Sequence, residues 1–160
     1  VEDKTVEIEL TAPGMDIAGF EHAPKGEDDR RAVAAAVDKL KDAMGLFAFP
    51  AAAKCALEEA EVHSPLMGDG EGHDHAGHEK EHAQEKEYAH EKDHDHEHGE
   101  HSEFRAHYHF LCADPGMLSH IDVGGYFRAF SSARELEAKT ITSKGQGAAE
   151  LTAGNARLTF

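Results

Sequence analysis

The chain has 160 residues, a formal charge of −16, 14 histidines and no tryptophan. That length fits one domain, and the absence of any run of about 18 apolar residues leaves nothing that spans a membrane as a helix. The acidity is concentrated: Asp69 to Glu103 holds 13 acidic residues against three Lys, a net −10, which leaves −6 for the other 125 residues. Such a field repels nucleic-acid phosphates and anionic membranes, so small cations or basic proteins are the partners it admits.

From the N-terminal side, Val6, Ile8 and Leu10 alternate with Glu7, Glu9 and Thr11, the period-two pattern of a half-buried strand that Pro13-Gly14 ends. A loop follows through Gly19-Phe20-Glu21-His22-Ala23-Pro24. Glu27 to Met44 then places Val33, Val37, Leu40 and Met44 at steps of four, three and four, which predicts a helix with one buried face. Glu27, Asp28 and Asp29 suit its positive end, Lys39 and Lys41 its negative end, and Gly45 is the expected C-terminal cap.

A second strand over Lys54 to His63 runs into the acidic segment, and a third emerges from it over Phe104 to Cys112. Cys55 and Cys112 form no C-x-x-C, so a zinc ribbon and a thioredoxin-type motif are both excluded, and a structural disulfide or two free buried thiols remain. If the two strands pair as an antiparallel hairpin, Cys55 opposite Cys112 sets Leu57 against Phe110 and Glu59 against Tyr108 on one face. On the other face it sets Ala56 against Leu111 and Glu58 against His109. In an exported protein the bridge is favoured over free thiols, and it then anchors a loop of more than 40 residues.

Asp114-Pro115 reads as a helix start, with Leu118, Ile121, Tyr126, Phe127 and Phe130 following and Gly124-Gly125 bending the helix. Leu136 to Thr142, Gly147 to Thr152 and Ala156 to Phe160 read as short strands. The order predicts one α+β domain over 1–160: a mainly antiparallel sheet, two helices covering one face, and a long His-rich insertion over 64–102 between two strands. With Tyr88 as the one large apolar side chain between Asp69 and Glu103, the segment Asp69 to His101 is expected to be disordered or only partly ordered in the absence of metal.

Ten of the 14 histidines fall between His63 and His101: His63, His73, His75, His78, His82, His90, His94, His96, His98 and His101. Neutral imidazole is a borderline ligand for Zn²⁺, Ni²⁺, Cu²⁺ and Co²⁺, and interleaved carboxylates complete a coordination shell or accept the second ring N–H. In extended chain, residues i and i+2 point to one side about 7 Å apart, so pairs such as His73 and His75 or His94, His96 and His98 converge on an ion without a fold. Two readings compete with metal binding: a solvated linker that is His-rich by chance, and a pH sensor, since free imidazole titrates at about pH 6.5. Composition favours metal, and sensing is compatible with it.

His22, His107, His109 and His120 lie outside the insertion, and His107 and His109 form an H-x-H unit on one face of a strand, a firmer support than any loop pair. Each alone is an ordinary surface histidine. No Ser-His-Asp set, phosphate-cradling loop or H-E-x-x-H helix is present, so the chain reads as a binding protein and not an enzyme.

Three segments carry a resemblance: Gly19-Phe20-Glu21-His22-Ala23-Pro24; Ser102-Glu103-Phe104 leading into Tyr108-His109-Phe110-Leu111-Cys112; and Thr142-Ser143-Lys144-Gly145-Gln146-Gly147-Ala148-Ala149-Glu150-Leu151. In combination they resemble the ZrgA-type family of zinc-uptake proteins of Gram-negative bacteria, through nearly the whole chain. The resemblance implies a periplasmic protein, made with a signal peptide, that helps deliver zinc to an inner-membrane ABC-type transporter. Carried onto this sequence, it favours His22 and His101 as site residues. The family pattern also has an H-x-H-G stretch and a leading strand ahead of the position of Val1, which the given sequence does not include. Opening directly on a strand is what a processed or trimmed secreted protein shows. A metal buffer or detoxifying sponge without a transport role is the alternative function, and the sequence leaves the choice among zinc, nickel, copper and cobalt open.

Overall fold

The computed structural model describes residues 4–68, 102–143 and 145–160. Its strands are β1 (Thr5–Pro13), β2 (Cys55–His63), β3 (Glu103–Cys112), β4 (His120–Asp122), β5 (Glu135–Thr142), β6 (Gly145–Thr152) and β7 (Arg157–Thr159). Its helices are α1 (Gly14–Ile17), α2 (Glu27–Lys41), α3 (Ala43–Leu46) and α4 (Gly124–Ala129). The α+β class and the antiparallel pairing are as predicted, although the strands divide among three sheets, ordered β1-β3-β2, β4-β7 and β5-β6.

The three-stranded sheet organises the rest. On its central strand, Phe104, Ala106, Tyr108, Phe110 and Cys112 are buried, while Arg105, His107, His109 and Leu111 turn to the other side. The buried side meets Val6, Leu10 and Ala12 of β1 and Val62 of β2, together with Val33, Ala36, Val37 and Leu40 of α2. Phe47 stands edge-on to Tyr108 with ring centroids 5.2 Å apart, and Phe49 closes on Phe110 at 4.7 Å. Tyr108 is wholly buried, and its hydroxyl donates to the Leu40 carbonyl at 2.8 Å, satisfying one of the orphan carbonyls in the last turn of α2.

Cys55 and Cys112 form the disulfide, at the end of the β2–β3 pair remote from the insertion. The predicted register holds for Cys55–Cys112, Ala56–Leu111 and Leu57–Phe110, and then slips by one at a bulge between Leu57 and Glu59. Glu59 therefore faces His109, and Ala60 faces Tyr108, the place expected for Glu59. The reason is burial. An unbroken register would turn Glu59 and Glu61 into the core, whereas the extra residue turns Ala60 and Val62 inward and leaves both carboxylates exposed.

Two helix predictions need correction. The helix starting at Glu27 ends at Lys41 and not at Met44, because Asp42 leaves helical geometry and its side chain accepts from the Gly45 amide, capping α3. Met44 is consequently 48% exposed, and Ala43 and Leu46 take the buried places. Asp114-Pro115 opens only a single 3-10 turn, Pro115–Met117. Ile121 then enters strand β4, and the helix begins at Gly124, whose amide is accepted by the Asp122 carboxylate at 2.9 Å. Gly125 is required there: a Cβ would stand 1.9 Å from the Gly45 carbonyl oxygen, so only glycine lets α4 approach α3 this closely.

Two stability outcomes are expected. Tyr108→Phe should lower unfolding free energy by about 1–2 kcal/mol in urea titrations, since it strands the buried Leu40 carbonyl. Reducing the disulfide, whose cysteines are 57 residues apart, should lower it by roughly 4 kcal/mol on the loop-entropy model, read as a shift in the urea midpoint with added dithiothreitol.

Candidate metal centre

The outer face of the three-stranded sheet is built by register alone. β1 sets Glu7 opposite His109, Glu9 opposite His107 and Thr11 opposite Arg105. From the other side, β2 sets Glu59 opposite His109, Glu61 opposite His107 and His63 opposite Arg105. Two imidazoles on the central strand are thus flanked by carboxylates on both neighbours. A sheet face so acidic attracts cations, and the one guanidinium of this row, Arg105, is drawn aside by Glu103 at 3.5 Å.

His109 is the best held of these side chains. Its Nε2 lies 3.0 Å from Glu7 Oε1 and its Nδ1 lies 3.6 Å from Glu58 Oε2. The bulge supplies the second contact, because it lets Glu58 as well as Glu59 reach the outer face beside one residue of β3. His107 is half-buried on the same face, with its ring centroid 6.5 Å from that of His109. His63 is exposed at the end of β2, within 4.0 Å of Glu61 Oε2, where the chain enters the insertion.

The remaining predicted site residues lie elsewhere. His22 sits in the loop between α1 and α2, stacked on Phe20 at 4.8 Å, with Nδ1 3.0 Å from the Ala23 carbonyl and 3.9 Å from Asp29 Oδ2. With Nδ1 donating to that carbonyl, Nε2 is left as the ligand atom. His120 is on β4, against Ser119 Oγ at 3.1 Å, in a different sheet from His107 and His109. His73, His75, His78, His82, His90, His94, His96, His98 and His101 lie outside the described residues, as does the segment expected to be disordered.

The His22 loop and the return from the insertion nevertheless meet at one point. A Cβ on Gly14 would stand 2.6 Å from both the Phe20 and the Ser102 carbonyl oxygens, so the two backbones close on a glycine at the start of α1. Beside it, Asp16 is pushed above the ordinary carboxylate range, first by burial and then by the negative charge of Glu21. Tyr126 is pushed up in the same way, by burial and then by Asp16.

Among the described residues, no group of three or more His, Cys, Asp or Glu side chains is already closed round a position for a metal ion. What the sheet holds is an array of borderline nitrogen and hard oxygen donors on rigid strands, half-buried at the centre and exposed at the edges. The partners that sequence reasoning missed are Glu7 and Glu9: their outward alternation was legible, but their placement beside His109 and His107 depends on the long-range pairing of β1 with β3.

An antiparallel sheet with a donor-rich face and a His-rich segment between two of its strands defines a metal-handling protein, and no described helix is long and apolar enough to cross a membrane. The chain belongs to the ZrgA family: the model of that family, described as ZrgA family zinc uptake protein, matches residues 1–160. A comparison with curated proteins finds no match.

Because Asp16 has a folded-state value above 3.8, its ionised form is disfavoured in the fold. The stability of the fold with Asp16 protonated is therefore fully present below the unfolded-state value and is lost in part as pH rises through the folded one. Asp16→Asn should therefore leave stability at neutral pH unchanged or higher. The variant should also gain on the wild type as pH rises from the ordinary carboxylate value, which urea midpoints measured across that range will show.

Proposed function

We propose that the chain is a periplasmic zinc-binding protein whose single domain captures Zn²⁺ on its His-rich insertion and supports uptake through an inner-membrane ABC-type transporter. Zinc is the cargo. One observation carries the reading: β2 and β3, the strands joined by the insertion, are those whose outer face presents His63, His107 and His109. An ion bound to the insertion is thereby tethered next to fixed imidazoles on the same hairpin.

Capture and retention divide by preorganisation. A strand-held ligand pair loses little freedom on binding, whereas a site in a segment without apolar anchors has to order the chain as it forms. Ten histidines between His63 and His101, at three or four ligands per ion, match roughly two to four ions. The tighter event belongs to histidines held by the fold, among His22, His101, His107 and His109.

Calorimetric titration of the metal-free chain with Zn²⁺ should give one tight event and several weaker ones. Replacing the eight histidines His73, His75, His78, His82, His90, His94, His96 and His98 with Asn should remove most of the weak events and keep the tight one. Cells lacking the protein should accumulate zinc more slowly when zinc is scarce. Normal accumulation combined with greater sensitivity to excess zinc would identify a buffer and overturn the uptake role.

A further inference from the structure

His109 has a carboxylate at each ring nitrogen, Glu7 from β1 at Nε2 and Glu58 from β2 at Nδ1. A neutral imidazole has one N–H and one lone pair, so in either tautomer one of these carboxylates points at a lone pair and is repelled. A second ring proton removes that conflict, and so does a divalent cation that takes the place of that proton. Two donors bound to one tetrahedral zinc at about 2.0–2.1 Å stand about 3.3 Å apart, and the Nε2 to Glu7 Oε1 distance is already 3.0 Å. A small outward movement of an exposed glutamate admits the ion. The ring proton then resides on Nδ1, facing Glu58.

We infer that Zn²⁺ binds between His109 Nε2 and Glu7 on the outer face of the sheet, with Glu58 as the carboxylate that orients the ring and His107 as the second imidazole. This rests on the zinc-capture reading and deepens it. The arrangement reproduces the carboxylate–imidazole–metal order in which an outer partner fixes the tautomer and raises the basicity of the ligand nitrogen. It uses all three strands: Glu7 on β1, His107 and His109 on β3, and Glu58 on β2.

The bulge is the independent observation. It keeps Glu59 out of the core, and in doing so it brings two successive carboxylates to the outer face beside His109. Bulges commonly re-aim side chains at sites in this way. His107, whose ring centroid is 6.5 Å from that of His109, turns toward it to close the site, and Glu9 stands opposite His107 in the register of β1. Imidazole with carboxylate selects borderline first-row ions, and the charges of Glu59 and Glu61 add attraction for a cation.

The test uses the full chain, with ZnCl₂ as probe in calorimetry and CoCl₂ as a spectroscopic reporter of tetrahedral geometry. Glu7→Gln and His109→Asn should each weaken the tightest event at least tenfold and abolish the tetrahedral cobalt band, while the weaker events persist. Glu58→Gln should retain the ion with roughly tenfold lower affinity. Circular dichroism and melting of each variant check folding, and nitrogen-15 spectra of the wild-type His109 ring should show metal at Nε2 and the proton at Nδ1. A tightest event unchanged within twofold in both Glu7→Gln and His109→Asn, or metal at Nδ1, overturns this site and leaves zinc capture standing. Wild-type protein that binds no zinc overturns both.

Discussion

Moving a carboxylate from water into an apolar interior carries a penalty of several kcal/mol unless it finds a partner there, and β2 has Glu58, Glu59 and Glu61 within four residues. Its neighbour β3 offers a strictly alternating surface, one side buried and the other not. A strand with two adjacent glutamates cannot match that alternation without an extra residue. The bulge at Glu58 resolves the conflict, and both the core and the outer face depend on it. Ala60 and Val62 gain access to Tyr108 and Ala106, and the acidic residues collect where the histidines are.

Local pattern made much of this legible in advance. Alternation located β1, spacing of four and three located α2, and the cysteine pair set the first steps of the β2–β3 register, all of which depend on residues close in sequence or on a covalent link. The failures share a cause. Asp42 and Asp122 act through side-chain capping that competes with helix continuation, so a hydrophobic period that runs past Asp42 to Met44 misplaces the boundary. The bulge, in turn, appears only when the cost of burying Glu59 is weighed against an ideal ladder.

The candidate site was half readable. An H-x-H unit on a strand states its own geometry, because residues two apart share a face. Glu7 could not be assigned to it from spacing, since it is 102 residues from His109 in sequence, whereas the cysteine register already set Glu58 against His109, a contact the bulge keeps. His120 illustrates the converse, for composition treats it as equal to His109, yet β4 carries it into another sheet.

The position of the disulfide has a consequence for how such a protein changes over time. It ties β2 to β3 at the end away from the insertion, in the unfolded chain as well as the folded one. Loop-closure entropy grows only logarithmically, by about 0.6 kcal/mol for each doubling of length, and a covalent link that persists through unfolding removes part of even that dependence. The insertion can therefore lengthen, shorten or exchange its histidines with little effect on the β2–β3 register. The length and composition of the insertion become traits that mutation can adjust separately from foldability.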